Sequence, residues 1–402
     1  MWPAQSAIEM KDTLVECFPS GWGFRLEDSA VSSKTEIRSR KRKQVLVRHI
    51  LEVIDLSKVR FAVVGCGSIS KAHIHAIHAN QRATLSAVVD IVPERAKAVA
   101  EKNNCLWFSS IEEMLAKANV DVVNICTASG LHMEPALIAA QAGKHLMIEK
   151  PLEVTRERCD AIISACEEHN VLLGGIFQCR FFAANQLVKQ AVAEGKFGQM
   201  VLGNAFVKWY RPPSYYAETS WRGTRRFDGG GALMNQAIHH VDLLQWIMGQ
   251  VTSVQAFSDR LLHKHIEVED AVTAILRFAS GAMGILQAST AVQPGYPKRL
   301  EIHGTMGGAI LEDDLLVEQS GLKIDPKTEA AINQHAGGAT HSDPTALSYL
   351  GHELQISDFI EALCTGREPA VSGREARKAV DLVLAIYEAA ESGQMVRLTH
   401  DG

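Results

Sequence analysis

The stretch VRFAVVGCGSIS at Val59–Ser70 decides the fold of this chain. Its opening run of β-branched and apolar residues is typical of a strand that is buried on both faces of a parallel sheet. Gly65 then permits a tight turn, and Gly67 lets the backbone approach a pyrophosphate. The helix that follows offers N–H donors at its N-terminus. The stretch therefore predicts the first strand and helix of a dinucleotide-binding fold.

The alternation of strand and helix continues to about residue 180. Apolar runs alternate there with amphipathic segments, the runs at 85–90, 120–128, 145–150 and 171–177 and the segments at 93–103, 111–118, 132–142 and 155–169. This pattern predicts an α/β fold with an N-terminal Rossmann domain, a doubly wound parallel sheet. We assign residues 58–180 to it.

Beyond residue 180 the pattern changes to consecutive strands. The predicted strands are 200–210, 251–260, 271–278, 282–289, 299–303 and 309–312, with helices at 183–194, 232–248, 346–364 and 374–392. Strands without intervening helices predict a C-terminal α+β domain with a mainly antiparallel, open-faced sheet. We assign residues 181–402 to this substrate-binding and oligomerisation domain.

Residues 1–57 precede the regular pattern and are predicted to be a poorly ordered N-terminal extension. A basic cluster lies at 38–48. It could bind an anionic surface or act as a targeting tag, but a short basic run near a terminus is usually a solvated tail.

Composition excludes several functional classes. The 41 Lys and Arg against 46 Asp and Glu give a net charge of -5, so nucleic acid is not an expected partner. No apolar run is long enough to span a membrane, and no secretory signal is evident. The eight cysteines are scattered without zinc-type spacing, which indicates reduced thiols and no metal site. We therefore expect a cytoplasmic protein without a membrane partner.

Asp90 supports the dinucleotide interpretation. It ends the second predicted strand, 20 residues past Ser70, where a carboxylate can accept hydrogen bonds from both ribose hydroxyls. A carboxylate there also repels a 2′-phosphate. The sequence therefore predicts NAD as the cofactor, with NADP disfavoured.

Glu149-Lys150-Pro151 follows a predicted buried strand. It lies at the carboxyl edge of the sheet, where such folds bind ligands. The Lys150 ammonium could hold a substrate hydroxyl and stabilise negative charge on its oxygen. Pro151 is predicted to follow a cis peptide bond.

A second candidate site is the stretch GGGALMNQAIHHVD at Gly229–Asp242. The helix after the glycines puts Asn235 and His239 on one face, with Asp242 three residues further. A histidine oriented by a carboxylate is a typical general base. By contrast, the spacing of three histidines in the first helix does not put all of them on one face for a metal, namely His73, His75 and His78.

These motifs in combination resemble the glucose–fructose oxidoreductase, inositol dehydrogenase and rhizopine-catabolism (Gfo/Idh/MocA) family. The resemblance runs from about Lys58 to Leu398. It rests on matches at Val64–Ile69, Cys126–His132, Glu149–Pro151, Gly229–Asp242 and Asp358–Pro369.

The resemblance implies roles for individual residues. Lys150 is similar to the family's active-site lysine, and His239 to its general acid–base. Inositol dehydrogenase-like members carry an acid at the position of Asn235. An asparagine there is similar to what the sugar and sugar-nucleotide dehydrogenases of the family carry. The implied cofactor contacts are Gly65, Gly67, Ser68, Ile69, Asp90, Thr127, Ala128, His132, Glu149, Lys150 and Gln178, and the implied substrate contacts are Arg180, Tyr216, Arg222, Asn235 and Asp242.

An aromatic stretch at 209–216, followed by Trp221-Arg222-Gly223, also suits a substrate site. Aromatic planes with arginines bind sugar rings and anionic groups. The alternative is a loop that packs over its own domain.

The leading functional hypothesis is an NAD-dependent oxidoreductase that transfers hydride from a secondary alcohol of a sugar, polyol or sugar derivative to nicotinamide. Two alternatives stay open: an NAD-dependent glycosidase that oxidises its substrate transiently, and a non-catalytic cofactor- and sugar-binding sensor. The resemblance also implies a homo-oligomer, a dimer or tetramer.

Overall fold

The computed structural model of the chain describes residues 58–217, 220–333 and 348–398. The predicted extension at 1–57, with its basic cluster, lies outside the described residues. The compact unit that contains both sheets begins at Lys58, where the regular sequence pattern also begins.

A six-stranded sheet forms the first part of this unit. Its strands are β1 (Val59–Val64), β2 (Ala83–Val89), β3 (Leu106–Phe108), β4 (Val122–Ile125), β5 (His145–Ile148) and β6 (Leu173–Gly175). All neighbours pair in parallel, in the order β3-β2-β1-β4-β5-β6. The predicted doubly wound Rossmann sheet is thereby confirmed. The sequence pattern missed β3, because its apolar run is only three residues long.

Five helices connect these strands. They are α1 (Ser70–Ala79), α2 (Pro93–Asn103), α3 (Ile111–Lys117), α4 (Met133–Gln141) and α5 (Arg156–Glu168). Local side chains fix where several of them begin. Pro93 lies at the start of α2, and the side chains of Ser110 and Thr155 accept backbone N–H bonds at the starts of α3 and α5.

The second sheet has eight strands. They are β7 (Met200–Lys208), β8 (Val251–Asp259), β9 (Ala271–Phe278), β10 (Met283–Ser289), β11 (Arg299–Gly304), β12 (Gly308–Glu312), β13 (Leu315–Ser320) and β14 (Val396–Arg397). Their order is β13-β12-β11-β7-β10-β9-β8-β14. The pairing is antiparallel except between β7 and β10. This parallel pair is possible because a long segment with helices separates the two strands.

The remaining helices lie between and after these strands. They are α6 (Ala183–Ala193), α7 (Pro213–Ala217), a π-helix (Ala232–Ala237), α8 (Ile238–Met248), α9 (Pro326–Ile332), α10 (Leu350–Thr365) and α11 (Gly373–Ser392). Helix α8 packs on β7 and α11 packs on β8. Buried and exposed residues alternate along β9 and β10, so one face of the sheet is open, as predicted. Among the described helices, none is both long and apolar enough to cross a bilayer.

The last two helices reach back to the first sheet. Ile356 and Phe359 of α10 belong to the same buried apolar cluster as Phe61 of β1 and Ile77 of α1. Helix α11 approaches β6 so closely that a Cβ on Gly175 would lie 2.3 Å from that of Ala376. The division into domains at residue 180 stays a prediction, and α10 packs against the first sheet although it follows the second in the chain.

A buried ion pair ties the end of the first sheet to α8. Arg180 lies in a 3₁₀ turn after β6, and its guanidinium donates to both carboxylate oxygens of Asp242 at 2.8 and 2.6 Å. Glu375 of α11 accepts a further bond from Arg180 at 3.1 Å. The Arg180 and Asp242 side chains are only 5% and 2% exposed. Removal of either partner would leave a buried charge uncompensated.

We therefore expect Arg180→Met to lower the free energy of unfolding by about 3–5 kcal/mol. Denaturant titration followed by circular dichroism measures this loss. Arg374→Met is the matched control, because Arg374 and its partner Glu167 are 71% and 53% exposed and exposed pairs contribute little. Equal losses in the two variants would contradict a special role for the buried pair.

Candidate active site

The glycine turn after β1 fits a dinucleotide. Gly65 has a φ of +94°, and a Cβ there would lie 2.7 Å from the carbonyl oxygen of Cys126. The side chain of Ser70 donates to the carbonyl of Gly67 at 2.6 Å, which fixes the turn from within. Gly67 and Ser68 are exposed, and a Cβ on Gly67 would meet nothing within 4 Å. The backbone of this turn, which continues through Ile69 into α1, is therefore open to a pyrophosphate.

Asp90 is held in place at the carboxyl end of β2. Its carboxylate accepts from the backbone N–H groups of Cys66 and Val92, both at 2.9 Å. Arg95 approaches the same carboxylate at 3.3 Å. Each carboxylate oxygen can accept further hydrogen bonds, so Asp90 can both fix the glycine turn and receive the ribose hydroxyls.

The residues after β4 divide into two groups. Thr127 and Ala128 are half-buried at the carboxyl edge, near the glycine turn. His132 is fully buried, and its ring nitrogens contact the carbonyl oxygens of Pro151 and Thr127 at 3.0 and 3.3 Å. Burial lowers the pKa of His132. The ring of His132 thus links the segments after β4 and β5, and the structure gives it no contact with the open turn.

Lys150 connects the first sheet with the π-helix. The Lys150–Pro151 peptide bond is cis, as predicted. The ammonium of Lys150 donates to the carbonyl oxygen of Asn235 at 2.8 Å. Burial lowers the pKa of Lys150, although the carboxylates of Glu149 and Asp228 oppose this shift. The two motifs that were separated by 85 residues in the sequence meet at this contact.

The carboxylate of Glu269 positions the π-helix itself. It accepts from the backbone N–H groups of Gly231 and Leu233, both at 2.8 Å. A Cβ on Gly231 would lie 1.7 Å from the carbonyl oxygen of Glu269, so this close approach requires glycine. Burial raises the pKa of Glu269 to about 7. The wider π-helical turn then places the backbone of Asn235 opposite Lys150.

His239 is the second residue of α8 and is half-buried. Its Nδ1 is buried without a hydrogen-bond partner, and the ring packs edge-on against Phe177, 5.7 Å between centroids. Burial and the nearby charge of Lys150 hold the pKa of His239 well below its usual range. A neutral imidazole of this kind can accept a proton. Between described side chains, no hydrogen bond joins His239 to Asp242, whose carboxylate is occupied by Arg180.

Of the polar residues around Asn235, Asp228 was not predicted from the sequence, whereas Gln236 and Tyr215 lie within the candidate stretches 229–242 and 209–216. The Asn235 amide donates to the carboxylate of Asp228, and Gln236 donates to the amide oxygen of Asn235 at 2.8 Å and to the hydroxyl of Tyr215 at 2.9 Å. Burial raises the pKa of Asp228 to about 6. The signal for Asp228 was its position directly before the glycine run, in a chain where an amide replaces the family's acid at position 235.

Some of the predicted substrate residues lie near Lys150, and others are buried away from it. Arg222 stacks on the ring of Tyr215, 4.2 Å from its centroid, and its charge acts on Lys150. Tyr216 instead is buried in its own domain, with its hydroxyl 2.9 Å from that of Thr290. Arg180 and Asp242 form the buried ion pair described above, and at 2% exposure the carboxylate of Asp242 is closed to a substrate. Gln178 is half-buried with an unpartnered amide oxygen.

Two segments of the chain, one in each sheet region, match models of known protein families. Residues 59–176 match the family model described as "Oxidoreductase family, NAD-binding Rossmann fold". Residues 185–310 match the "GFO/IDH/MocA C-terminal domain".

Related proteins cover most of the chain. The inositol 2-dehydrogenase of Rhizobium meliloti is 29% identical over 344 residues, 84% of this chain and 98% of that protein. The 1,5-anhydro-D-fructose reductase of Ensifer adhaerens is 29% identical over 346 residues, again 84% of this chain and 98% of that protein.

A solved structure is more similar in sequence. The WlbA dehydrogenase from Bordetella pertussis, in complex with NADH and UDP-GlcNAcA, is 36% identical, with a TM-score of 0.76 over 86% of this chain and 100% of that one. Together, the matched models, the relatives and the shared fold show that the chain belongs to the GFO/IDH/MocA family of NAD-binding oxidoreductases.

Proposed function

We propose that this protein oxidises a secondary alcohol of a sugar derivative, with Lys150 and His239 at the reacting oxygen. The observation that carries the proposal is the bond from the Lys150 ammonium to the carbonyl of Asn235, four residues before His239 on the same helical segment. A cationic donor and a neutral imidazole are thereby brought to one place. NAD, when bound, supplies the hydride acceptor.

Each side chain has a distinct task in this chemistry. The ammonium of Lys150 donates to the substrate oxygen and stabilises the negative charge that develops there. His239 accepts the hydroxyl proton, because its lowered pKa keeps the imidazole neutral at neutral pH. Activity should therefore fall at both ends of the pH range. Acid protonates His239, which can then no longer accept a proton, and base removes the proton that Lys150 donates.

The polar network around Asn235 orients the rest of the substrate. Asp228 fixes the amide of Asn235, and Gln236 fixes its oxygen. These groups offer acceptors and donors to hydroxyls that neighbour the reacting carbon. An acid is thus present near position 235 after all, supplied by the loop instead of the helix.

Charge supports an acidic sugar derivative as the substrate. Lys150 and Arg222 act on one another electrostatically, as do Arg222 and Arg211, against the two carboxylates of Asp228 and Glu149. Such an excess of positive charge favours carboxylate or phosphate groups. The WlbA relative, whose structure contains the acidic nucleotide sugar UDP-GlcNAcA, is 36% identical. We therefore place acidic nucleotide sugars ahead of inositols.

The experiment is a panel of free sugars, inositols and UDP-sugars, including UDP-GlcNAcA, read by NADH absorbance and product analysis. On the substrate found, we expect His239→Ala to lower turnover roughly 10²–10⁴-fold while NAD affinity is retained, and Lys150→Met to lower turnover by a comparable factor. The double variant should lose much less than the product of the single losses, since both groups serve one step.

Single variants with near wild-type turnover would contradict the assignment. A cleaved glycoside without net NADH would instead identify the NAD-dependent glycosidase. Cofactor binding with no product from any compound would favour the sensor.

We propose NAD over NADP because of the Asp90 carboxylate. In parallel calorimetric titrations the wild-type protein should bind NAD more tightly than NADP. Asp90→Asn should lower the ratio of the NADP to the NAD dissociation constant roughly tenfold, because it removes the charge that repels a 2′-phosphate. Asp121→Asn is the control, because Asp121 directly precedes β4 and so lies at the amino ends of the strands, away from Asp90. Wild-type NADP affinity equal to that for NAD would refute the prediction.

We also propose a homo-oligomer, in which the open face of the second sheet is covered. Four apolar side chains on this face are exposed: Phe257 (78%), Ile275 (56%), Met283 (50%) and Ile285 (40%). Such patches on adjacent strands mark interaction surfaces. Light scattering should give the mass of two or four chains, and Ile275→Lys should lower it; a wild-type monomer at micromolar concentration would contradict the proposal.

A cytoplasmic location stays a proposal. It is supported by the cysteines of the described residues, which are all free thiols.

A further inference from the structure

A buried cluster of one carboxylate and two imidazoles precedes Lys150 and has no role in the chemistry above. Glu149 Oε1 lies 2.8 Å from His73 Nε2 and 3.4 Å from His352 Nε2. His73 comes from α1, Glu149 follows β5, and His352 comes from α10. Their side chains are 0%, 6% and 2% exposed. The other carboxylate oxygen of Glu149 accepts the backbone N–H of Lys150 at 3.1 Å.

The hydrogen bonds define where the protons are. The amide of Asn124 donates to Nδ1 of His73 at 2.9 Å, so the imidazole proton lies on Nε2 and is donated to Glu149. Burial opposes ionisation of Glu149, but the bonds from His352 and His73 outweigh it, and the pKa of Glu149 lies well below its usual range. Burial also lowers the pKa of His73. A neutral histidine therefore donates to an ionised carboxylate.

The charge of Glu149 acts on Lys150. Burial lowers the pKa of Lys150, and among the groups that raise it the carboxylate of Glu149 is the strongest, followed by Asp228. Arg222 lowers the pKa and the thiol of Cys179 raises it. The charge of Glu149 also raises the pKa of three other titratable groups, namely Cys126, His132 and His239.

We propose that His73 and His352 are positioning residues for Lys150, because their N–H groups hold Glu149 as the ionised carboxylate that keeps the neighbouring ammonium charged and in place. This inference rests on the proposed function in one respect, namely that Lys150 contacts the reacting oxygen. Helix α10 thereby contributes to the active site from near the C-terminal end of the chain, without touching the substrate.

A metal ion is the competing explanation, since the three ligand atoms lie within 4.8 Å of one another. The hydrogen-bonded cluster is favoured for two reasons. The 2.8 Å between His73 and Glu149 is an ordinary donor–acceptor distance. In addition, the amide donor on Nδ1 of His73 assigns the proton to the very nitrogen that would bind the metal.

The first experiment is the pH dependence of kcat/KM. Loss of a neighbouring opposite charge lowers the pKa of a lysine, so Glu149→Gln should move the alkaline limb down by about one pH unit. His73→Leu and His352→Leu should move it in the same direction. His352→Gln keeps a side-chain N–H donor and should restore the wild-type profile.

His75→Leu is the matched control. His75 lies on the same helix as His73 and pairs with Glu353 of α10 at 3.0 Å, but it is 51% exposed. It therefore links the same two helices at the surface, away from Glu149. Its loss should leave the pH profile unchanged, whereas a merely structural link between the helices would make it resemble His352→Leu.

The second experiment does not depend on turnover. Amine-reactive labelling of Lys150, measured by peptide mass spectrometry across pH, reports the fraction of neutral amine. In Glu149→Gln and His352→Leu the labelling rate at fixed pH should rise, by about tenfold for each unit by which the pKa falls. If labelling rises while turnover is unaffected, the positioning role stands and the proposed function of Lys150 fails.

Unchanged labelling and pH profiles in Glu149→Gln and His352→Leu would overturn the proposal. One equivalent of zinc in the purified protein, lost in His352→Leu, would overturn it in favour of a metal site. Should His73→Leu fail to fold, Glu149→Gln with the His352→Leu and His352→Gln pair decides the question.

Discussion

The hydrogen bond from the Lys150 ammonium to the carbonyl of Asn235 is the contact on which the site depends. It joins the carboxyl edge of the parallel sheet to the π-helix of the second part of the chain. On the π-helix side, the carboxylate of Glu269 holds the glycine-led backbone.

Two buried ion pairs lie close to α8. Arg180 and Asp242 are paired on one side of α8, and Lys298 and Asp314 on another. Isolated charges at these depths would be costly, while removal of one partner would cost more than the pair contributes. Burial, together with the charges of Lys150 and Lys298, lowers the pKa of His239 and keeps its imidazole neutral. The polar interior therefore sets protonation states as well as holding helices in place.

Several residues of the family motifs have structural tasks in this fold. His132 links two loops through backbone carbonyls, and Asp242 neutralises Arg180 instead of orienting His239. Tyr216 packs inward, while its neighbour Tyr215 faces Arg222 and Gln236. A sequence motif records that a residue type is required at a position, and it does not record which neighbour requires it.

The sequence by itself determined five of the six strands of the first sheet, the glycine turn after β1 and the position of Asp90 at the end of β2. These features rest on local rules: apolar runs make buried strands, glycine permits a positive φ, and parallel strands bring their carboxyl ends to one edge. Helix α2 even has its predicted bounds, because Pro93 and the left-handed Asn104 mark its ends.

Only the tertiary structure decided which distant groups meet. The parallel pairing of β7 with β10, the return of α10 to the first sheet and the contact of His352 with Glu149 join residues far apart in the chain. Burial and partner identity set the charge on a titratable side chain, and neither quantity is a property of a local sequence. The physical reason for the limit is therefore long-range packing, which fixes the electrostatics of the site after the strands and helices are in place.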